Sequence, residues 1–390
     1  MNNLNAKSIL IITPFLNKIT PANFRITSFI SEFKKQYLLY VVNTSFEKLE
    51  NSVHYYQIDE DASAKFFHLR TNPVFRSFLL PFFYIGWIIK CFIKSSSIIE
   101  KKSVDMIFVS HGPPHVLFVG YLLKLRYSRC QFITDYRDSW TDNPYRKYPS
   151  TILKKMLENI EYKILTESNL IIAVSIIEKR KFKKYQLDEK IKIIRNGFLT
   201  QNNIIDKNRD YYKISHSGTF IKIRQPDQIL SAYKIFLRSK PKTKLFLVGD
   251  LDSGNLLKIK KLGLENDVVI TGTLEYSESL KNIYDSDLLL FYEPTNAMTT
   301  KIYDYISSGN PMVVITQNYE IEGFIKKYSP FSVIINGYDT EKFSDALQSF
   351  YQGWEEDVKY GFDLKPEYFS KYNRERLAKK LLSYINKLEG

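Results

Sequence analysis

A chain of 390 residues is too long for one ordinary core and predicts two domains, while 44% hydrophobic and 25% charged side chains exclude a disordered polymer. A formal net charge of +14 calls for an anionic partner, which nucleic acid, acidic lipid headgroups or phosphorylated substrates would all satisfy. The two cysteines, Cys91 and Cys130, lack any Cys/His metal spacing around them, which excludes a disulfide framework and predicts a reducing, cytosolic setting.

Met1 to Lys7 runs straight into Ser8 to Ile12, too short an apolar stretch for a secretory leader. Strand-length apolar runs then alternate with helical segments: Ile9 to Ile12, Leu38 to Val42, Met106 to Val109, Phe132 to Thr134, Leu170 to Val174 and Ile191 to Ile194. Such alternation predicts a parallel, doubly wound α/β sheet. Within this series Phe75 to Ile93 reads as a helix whose apolar run, Phe78 to Ile89, is too short to span a bilayer. Its aromatic residues, Trp87 and the nearby Arg76, Lys90, Lys94, Lys101 and Lys102 suit a helix lying in an anionic interface, and they equally suit a buried helix of the first domain. A polar, Asn-rich segment over 198–212 reads as a linker. A second series follows at Lys213 to His216, Lys244 to Val248, Val268 to Thr271, Leu288 to Phe291, Met312 to Ile315 and Ser332 to Ile335. These patterns give a first domain over 1–197, a second over 213–365, and one long helix over 366–390 that packs back toward the first domain.

Ligands of open parallel sheets bind beyond the carboxyl ends of the strands. Residues of chemical interest there are Ser110-His111-Gly112-Pro113-Pro114-His115, Asp135-Tyr136-Arg137-Asp138-Ser139-Trp140-Thr141 and Ser217-Gly218-Thr219, with Lys222 and Arg224 beyond. The stretch Thr299-Thr300-Lys301-Ile302-Tyr303-Asp304-Tyr305 sits between two apolar runs as a βαβ unit would place it. Free N–H groups and a lysine at a helix start suit a nucleotide diphosphate, and an ordinary amphipathic helix with a solvated Lys301–Asp304 pair suits the same letters. Asp250-Leu251-Asp252 and Asp285-Ser286-Asp287 match a short metal-binding pattern, but each stands in a turn or strand start where acids are ordinary.

Taken together, the segment Ser110 to Asn143, the turn Asn196-Gly197-Phe198, the opening Ser217-Gly218-Thr219 and the run Lys301-x-x-Asp304-Tyr305-x-x-x-Gly309-x-Pro311 resemble retaining, family-four-like glycosyltransferases of the GT-B fold. The resemblance implies two Rossmann-like domains facing a cleft, and transfer of a sugar from a nucleotide sugar. By resemblance Arg224 and Lys301 hold the diphosphate with Thr299, Thr300, Gly218 and Thr219 around it, and Asp304 binds the ribose hydroxyls. Asp138, with Arg137 and His111 beside it, handles the acceptor or donor sugar, and the leaving phosphate itself takes the acceptor proton. The family's first donor-motif acid would fall on Asn296, while Glu293 stands three residues earlier, and either could take that acid's place. Lys301 and Arg224 stand in for a divalent cation, so neither metal nor cofactor is implied.

The resemblance and the basic charge together imply a cytoplasmic enzyme peripheral to the inner face of the cell membrane, acting on a lipid-linked glycan in bacterial surface polysaccharide assembly. Two rival readings are a GT-B nucleotide-sugar epimerase, whose acidic and histidine pattern is missing, and a nucleic-acid-binding protein, favoured by charge alone. No nucleic-acid partner is expected, because Lys and Arg are spread throughout instead of forming a basic motif.

Overall fold

The structure is a computed structural model that describes residues 7–14, 16, 21–44, 52–58, 85–143, 148, 150–199, 209–220, 225–337, 339–358 and 366–388. The chain divides into two compact units, one of Met1–Asn196 with Arg374–Gly390 and one of Gly197–Asn373.

In the first unit the chain runs β1 (Ser8–Ile12), α1 (Pro21–Phe33), β2 (Leu38–Asn43), β3 (His54–Gln57), α2 (Ile85–Lys102), β4 (Met106–Ser110), α3 (His115–Arg126), β5 (Gln131–Tyr136), α4 (Thr151–Glu167), β6 (Leu170–Ala173), α5 (Ile176–Lys181) and β7 (Ile191–Ile193). The strands form one seven-stranded parallel sheet in the order β3-β2-β1-β4-β5-β6-β7. Side chains alternate across a strand, so continuous apolar runs feed both faces. Leu10, Ile12, Ile107 and Val109 pack with Trp87, Val116, Leu123 and Ile164 on one face, while Ile9, Ile11, Met106 and Phe108 pack with Phe29 and Phe33 on the other.

The second unit repeats the plan with β8 (Tyr212–Ser217), α6 (Asp227–Ser239), β9 (Thr243–Val248), α7 (Ser253–Leu262), β10 (Val268–Gly272), α8 (Tyr276–Tyr284), β11 (Leu288–Glu293), α9 (Lys301–Ser307), β12 (Met312–Thr316), α10 (Tyr319–Tyr328), β13 (Val333–Ile335), α11 (Thr340–Glu355) and α12 (Pro366–Tyr372). Its six parallel strands lie in the order β10-β9-β8-β11-β12-β13. In both sheets the order reverses beside the unit's first strand, which sets a ligand crevice at the carboxyl ends of β1 and β4 and of β8 and β11. Helices start where side chains satisfy their first N–H groups: Ser150, Ser175, Asp252, Asn318 and Asp339 each cap the helix that follows.

Four sequence expectations change. β3, with the sequence His54-Tyr55-Tyr56-Gln57, carries no apolar run; it pairs on one side only, to β2, and its side chains are exposed or half-buried. The expected single helix over 366–390 is two, α12 and α13 (Arg374–Asn386), because the Tyr372 carbonyl accepts the Phe198 N–H at 3.0 Å and Asn373 bridges Phe198. Residue 198 is therefore no linker residue. Phe198 stacks on Tyr368 with ring centres 5.0 Å apart, inside an aromatic cluster with Phe324 and Tyr328 that keeps α12 in the second unit. α13 instead returns to the first unit, where Leu377, Leu381 and Ile385 join the core against α1. Lastly, Trp87 does not lie at a surface: it is 2% exposed, with its ring against His115 at 5.0 Å. Phe75 to Tyr84, with Arg76, lie outside the described residues, as do Lys222 and Arg224 and most of the expected linker.

Candidate active site

In the second unit, Gly218 follows β8 with φ +132°, a conformation side chains rarely adopt. Its missing side chain is filled by a cation, since a Cβ at Gly218 would stand 2.3 Å from the Lys301 Nζ. Lys301 opens α9 after β11, so strands adjacent in the sheet bring the glycine and the lysine together at the crevice. Gly249, ending β9 with φ +141°, lies so close to the Gly218 loop that a Cβ there would meet the Gly218 carbonyl carbon at 2.9 Å and the Thr219 nitrogen at 3.1 Å. Gly249 also bridges Gly272 at the end of β10. Three consecutive strand ends are thus knit by backbone contact, and the approach of Gly249 to the Gly218 loop leaves no room for a side chain.

The motif around Lys301 is buried on its sheet side. Tyr305 receives the Ser217 N–H on its hydroxyl at 2.6 Å, tying α9 to the end of β8, and burial pushes its phenol pKa up, so it stays neutral. Asp304 is 5% exposed and accepts the Tyr276 hydroxyl on Oδ1 at 2.8 Å, which rules out the solvated pair of the ordinary amphipathic reading. The Thr299 Oγ1 is buried and makes no hydrogen bond among the described residues. Thr300 occupies the cap position of α9 without a side-chain cap bond. Glu293 is buried at the end of β11, where Oε1 accepts the Thr295 N–H at 3.1 Å and the Thr295 hydroxyl at 2.5 Å. That carboxylate shapes the loop leading to Thr299. Asn296, three residues later, is exposed.

In the first unit the crevice is occupied by an ion pair. Arg25 from α1 and Asp135 from β5 are both buried and meet at 2.8 Å, with the Ser110 hydroxyl on Asp135 and the Arg195 carbonyl on Arg25. Beside them the second-unit device recurs. Gly112 has φ +132°, and a Cβ there would meet Arg137 Nη2 at 2.1 Å. The Arg137 Nε donates to the His111 carbonyl at 2.6 Å, and burial lowers the guanidinium pKa against the raising influence of Asp135 and Asp138. His111 is buried with its ring 5.6 Å from that of Tyr136, whereas Asp138 is exposed.

Two acids that sequence reasoning missed hold the Asp138 loop. Glu161 on α4 accepts the Trp140 N–H at 3.1 Å and the Thr141 N–H and hydroxyl; Glu178 on α5 pairs with Lys181, which also donates to Ser139 at 2.7 Å. Burial raises the pKa of both carboxyls. Glu161 was discoverable as a charge between Leu157 and Leu165 on the apolar stripe of its helix. No comparable signal marks Tyr276, whose partner lies 28 positions away.

The Asp-x-Asp acids are spent elsewhere. Asp250 accepts from Thr273, Asp252 caps α7, and Asp285 and Asp287 pair with Arg209 at the start of β11, the sheet edge opposite the crevice. Among the described residues, no group of three or more His, Cys, Asp or Glu side chains is placed to hold a metal ion.

Residues 46–201 match the family model for Glycosyltransferase Family 4, and residues 198–376 match that for Glycosyl transferases group 1. No curated protein sequence matches the chain. Among solved structures, HepE of Anabaena in complex with UDP and glucose is 13% identical with a TM-score of 0.70, over 97% of this chain and 99% of that one. Sucrose-phosphate synthase of Thermosynechococcus elongatus is 12% identical with a TM-score of 0.71, over 98% and 99%. A candidate UDP-N-acetylglucosamine 2-epimerase from Listeria monocytogenes is 13% identical with a TM-score of 0.64, over 97% and 96%, so the fold is shared with the rival chemistry. It is the two family models, meeting where the Asn196-Gly197-Phe198 turn divides the units, that decide between transfer and epimerisation. The chain belongs to the glycosyltransferases that join a family 4 domain to a group 1 domain on the GT-B fold, enzymes that draw their sugar from a nucleotide.

Proposed function

We propose that this enzyme transfers a sugar from a nucleoside diphosphate donor, with retention, to a lipid-linked glycan in surface polysaccharide assembly at the cytoplasmic face of a membrane. The observation that carries the donor half is the Lys301 ammonium seated against Gly218, with the buried Thr299 hydroxyl and Asp304 beside it. As the bond from the sugar C1 to the diphosphate breaks, negative charge grows on the leaving oxygen, and a fixed cation there lowers the barrier. Arg224 adds a second cation by resemblance. The acceptor oxygen bonds C1 on the face the diphosphate leaves, and its proton passes to the departing phosphate. Asp138 engages the sugar hydroxyls from a loop whose Trp140 and Thr141 are held by Glu161, with the Arg137 guanidinium near it and bonded to His111. With two cations opposing the diphosphate, turnover needs no metal.

The lipid half rests on surface chemistry. Ile85, Ile89 and Ile93 recur every fourth residue on α2 and are exposed, Ile93 by 61%, with exposed Lys90 and Lys94 next to Ile89 and Ile93 in the chain. Ile152 and Met156 are likewise exposed at the start of α4 beside Lys154 and Lys155. An apolar stripe edged with lysines suits an anionic bilayer surface, and no helix among the described residues is long and apolar enough to cross one.

Donor chemistry is tested by a thermal-shift screen with UDP, GDP, TDP, CMP and their sugars, followed by turnover with and without EDTA. One nucleotide family should raise the melting temperature by mass action, and chelation should leave turnover nearly intact. A response to oligonucleotides alone would contradict the reading, and activity lost to EDTA and restored by manganese would contradict its metal independence.

A further inference from the structure

Asp304 is held from another βα unit. Tyr276 is the first residue of α8, following the β10 end that Gly272 bridges to Gly249, and its hydroxyl reaches Asp304 on α9. The other phenols around this carboxylate are differently engaged: Tyr305 receives the Ser217 N–H, the Tyr284 hydroxyl meets the Ser307 Oγ at 3.0 Å, and the Tyr368 hydroxyl donates to the Tyr303 carbonyl at 2.7 Å. A carboxylate offers about four acceptor positions on two oxygens. One of these, on Oδ1, is committed to Tyr276, a contact that restrains the rotation of the carboxylate plane. An aspartate is also one methylene shorter than the glutamate of the resembled motif, so its oxygens have less reach and their direction matters more.

We propose that Tyr276 is a positioning residue that orients Asp304 toward the ribose hydroxyls of the donor nucleotide. This rests on the reading of Asp304 as the ribose-binding acid. The Tyr276 ring is half-buried, so Tyr276→Phe removes the hydroxyl alone and keeps the ring's packing. Orientation of Asp304 then degrades while the diphosphate seat, built from Gly218 and Lys301, is untouched.

The test is calorimetry with whichever of UDP, GDP, CDP or TDP binds most tightly, set against its 2′,3′-dideoxy analogue, on wild type, Tyr276→Phe and Asp304→Asn. Wild type should prefer the hydroxyl-bearing nucleotide by roughly tenfold, as expected for charge-assisted hydrogen bonds. Asp304→Asn should lose most of that preference. Tyr276→Phe should lose severalfold of it while binding the dideoxy analogue as wild type does. If Asp304→Asn keeps the preference, the ribose reading of Asp304 is wrong. If Asp304→Asn loses it and Tyr276→Phe keeps it, the positioning role is wrong. Equal weakening toward both nucleotides in Tyr276→Phe would make Tyr276 a structural residue only.

Discussion

Gly112 and Gly218 share an unusual backbone angle, and each has a cationic head, Arg137 or Lys301, resting where its side chain would be. The arrangement makes glycine a determinant of where charge sits. Gly218→Ala would strain the backbone and push the ammonium aside, so nucleotide affinity should fall roughly tenfold with little change in fold, as read by calorimetry and circular dichroism. Buried acids give a second residue-scale expectation. Burial holds the pKa of Glu161 above its ordinary 4.5, so the folded state binds that proton more tightly than the unfolded chain does. Its contribution to stability is complete below the ordinary value and is lost as pH rises through the raised one. Glu161→Gln, which cannot ionise, should therefore lose less stability than wild type as pH rises above 4.5; equal losses in denaturation midpoints would contradict this.

Helices and strands were legible where their apolar residues repeat, because burial on two faces leaves an uninterrupted signal. The six apolar runs of each half fall on β1, β2, β4 to β7 and on β8 to β13. β3 was not legible, since none of its four side chains is fully buried and its sequence has no apolar run. α2 shows the limit for function: its composition suggested an interfacial helix, but composition does not say which face points outward. Trp87 and Cys91 face the core, where burial pushes the Cys91 thiol up to about 12, and Ile85, Ile89 and Ile93 face out. Trp87→Ser should cost about 3–5 kcal/mol by emptying core volume. Ile89→Ser with Ile93→Ser should change stability by no more than about 0.5 kcal/mol per site and still weaken pull-down by anionic vesicles. Unchanged vesicle binding in the double variant would remove α2 from the membrane account.

Across the whole molecule, a net charge of +14 is compatible with several anions, and only the arrangement of charge narrows the choice. Several of the basic residues are paired internally, Arg25 with Asp135, Arg209 and Lys213 with Asp285, and Lys181 with Glu178, while the excess of positive charge remains. Lys301 differs in its placement at a crevice against a bare glycine. The resemblance located that lysine, while the Lys301–Gly218 contact and the separate Tyr276–Asp304 hydrogen bond join positions far apart in the chain and could not be read from spacing. The central claim is that Lys301 holds the donor diphosphate, and calorimetric titration of Lys301→Ala with the nucleoside diphosphate that binds wild type best tests it most directly. A charge-assisted phosphate bond contributes on the order of 1.5 to 3 kcal/mol, so affinity should fall roughly tenfold or more in a protein that remains folded. Unchanged affinity in a folded Lys301→Ala protein would contradict the account.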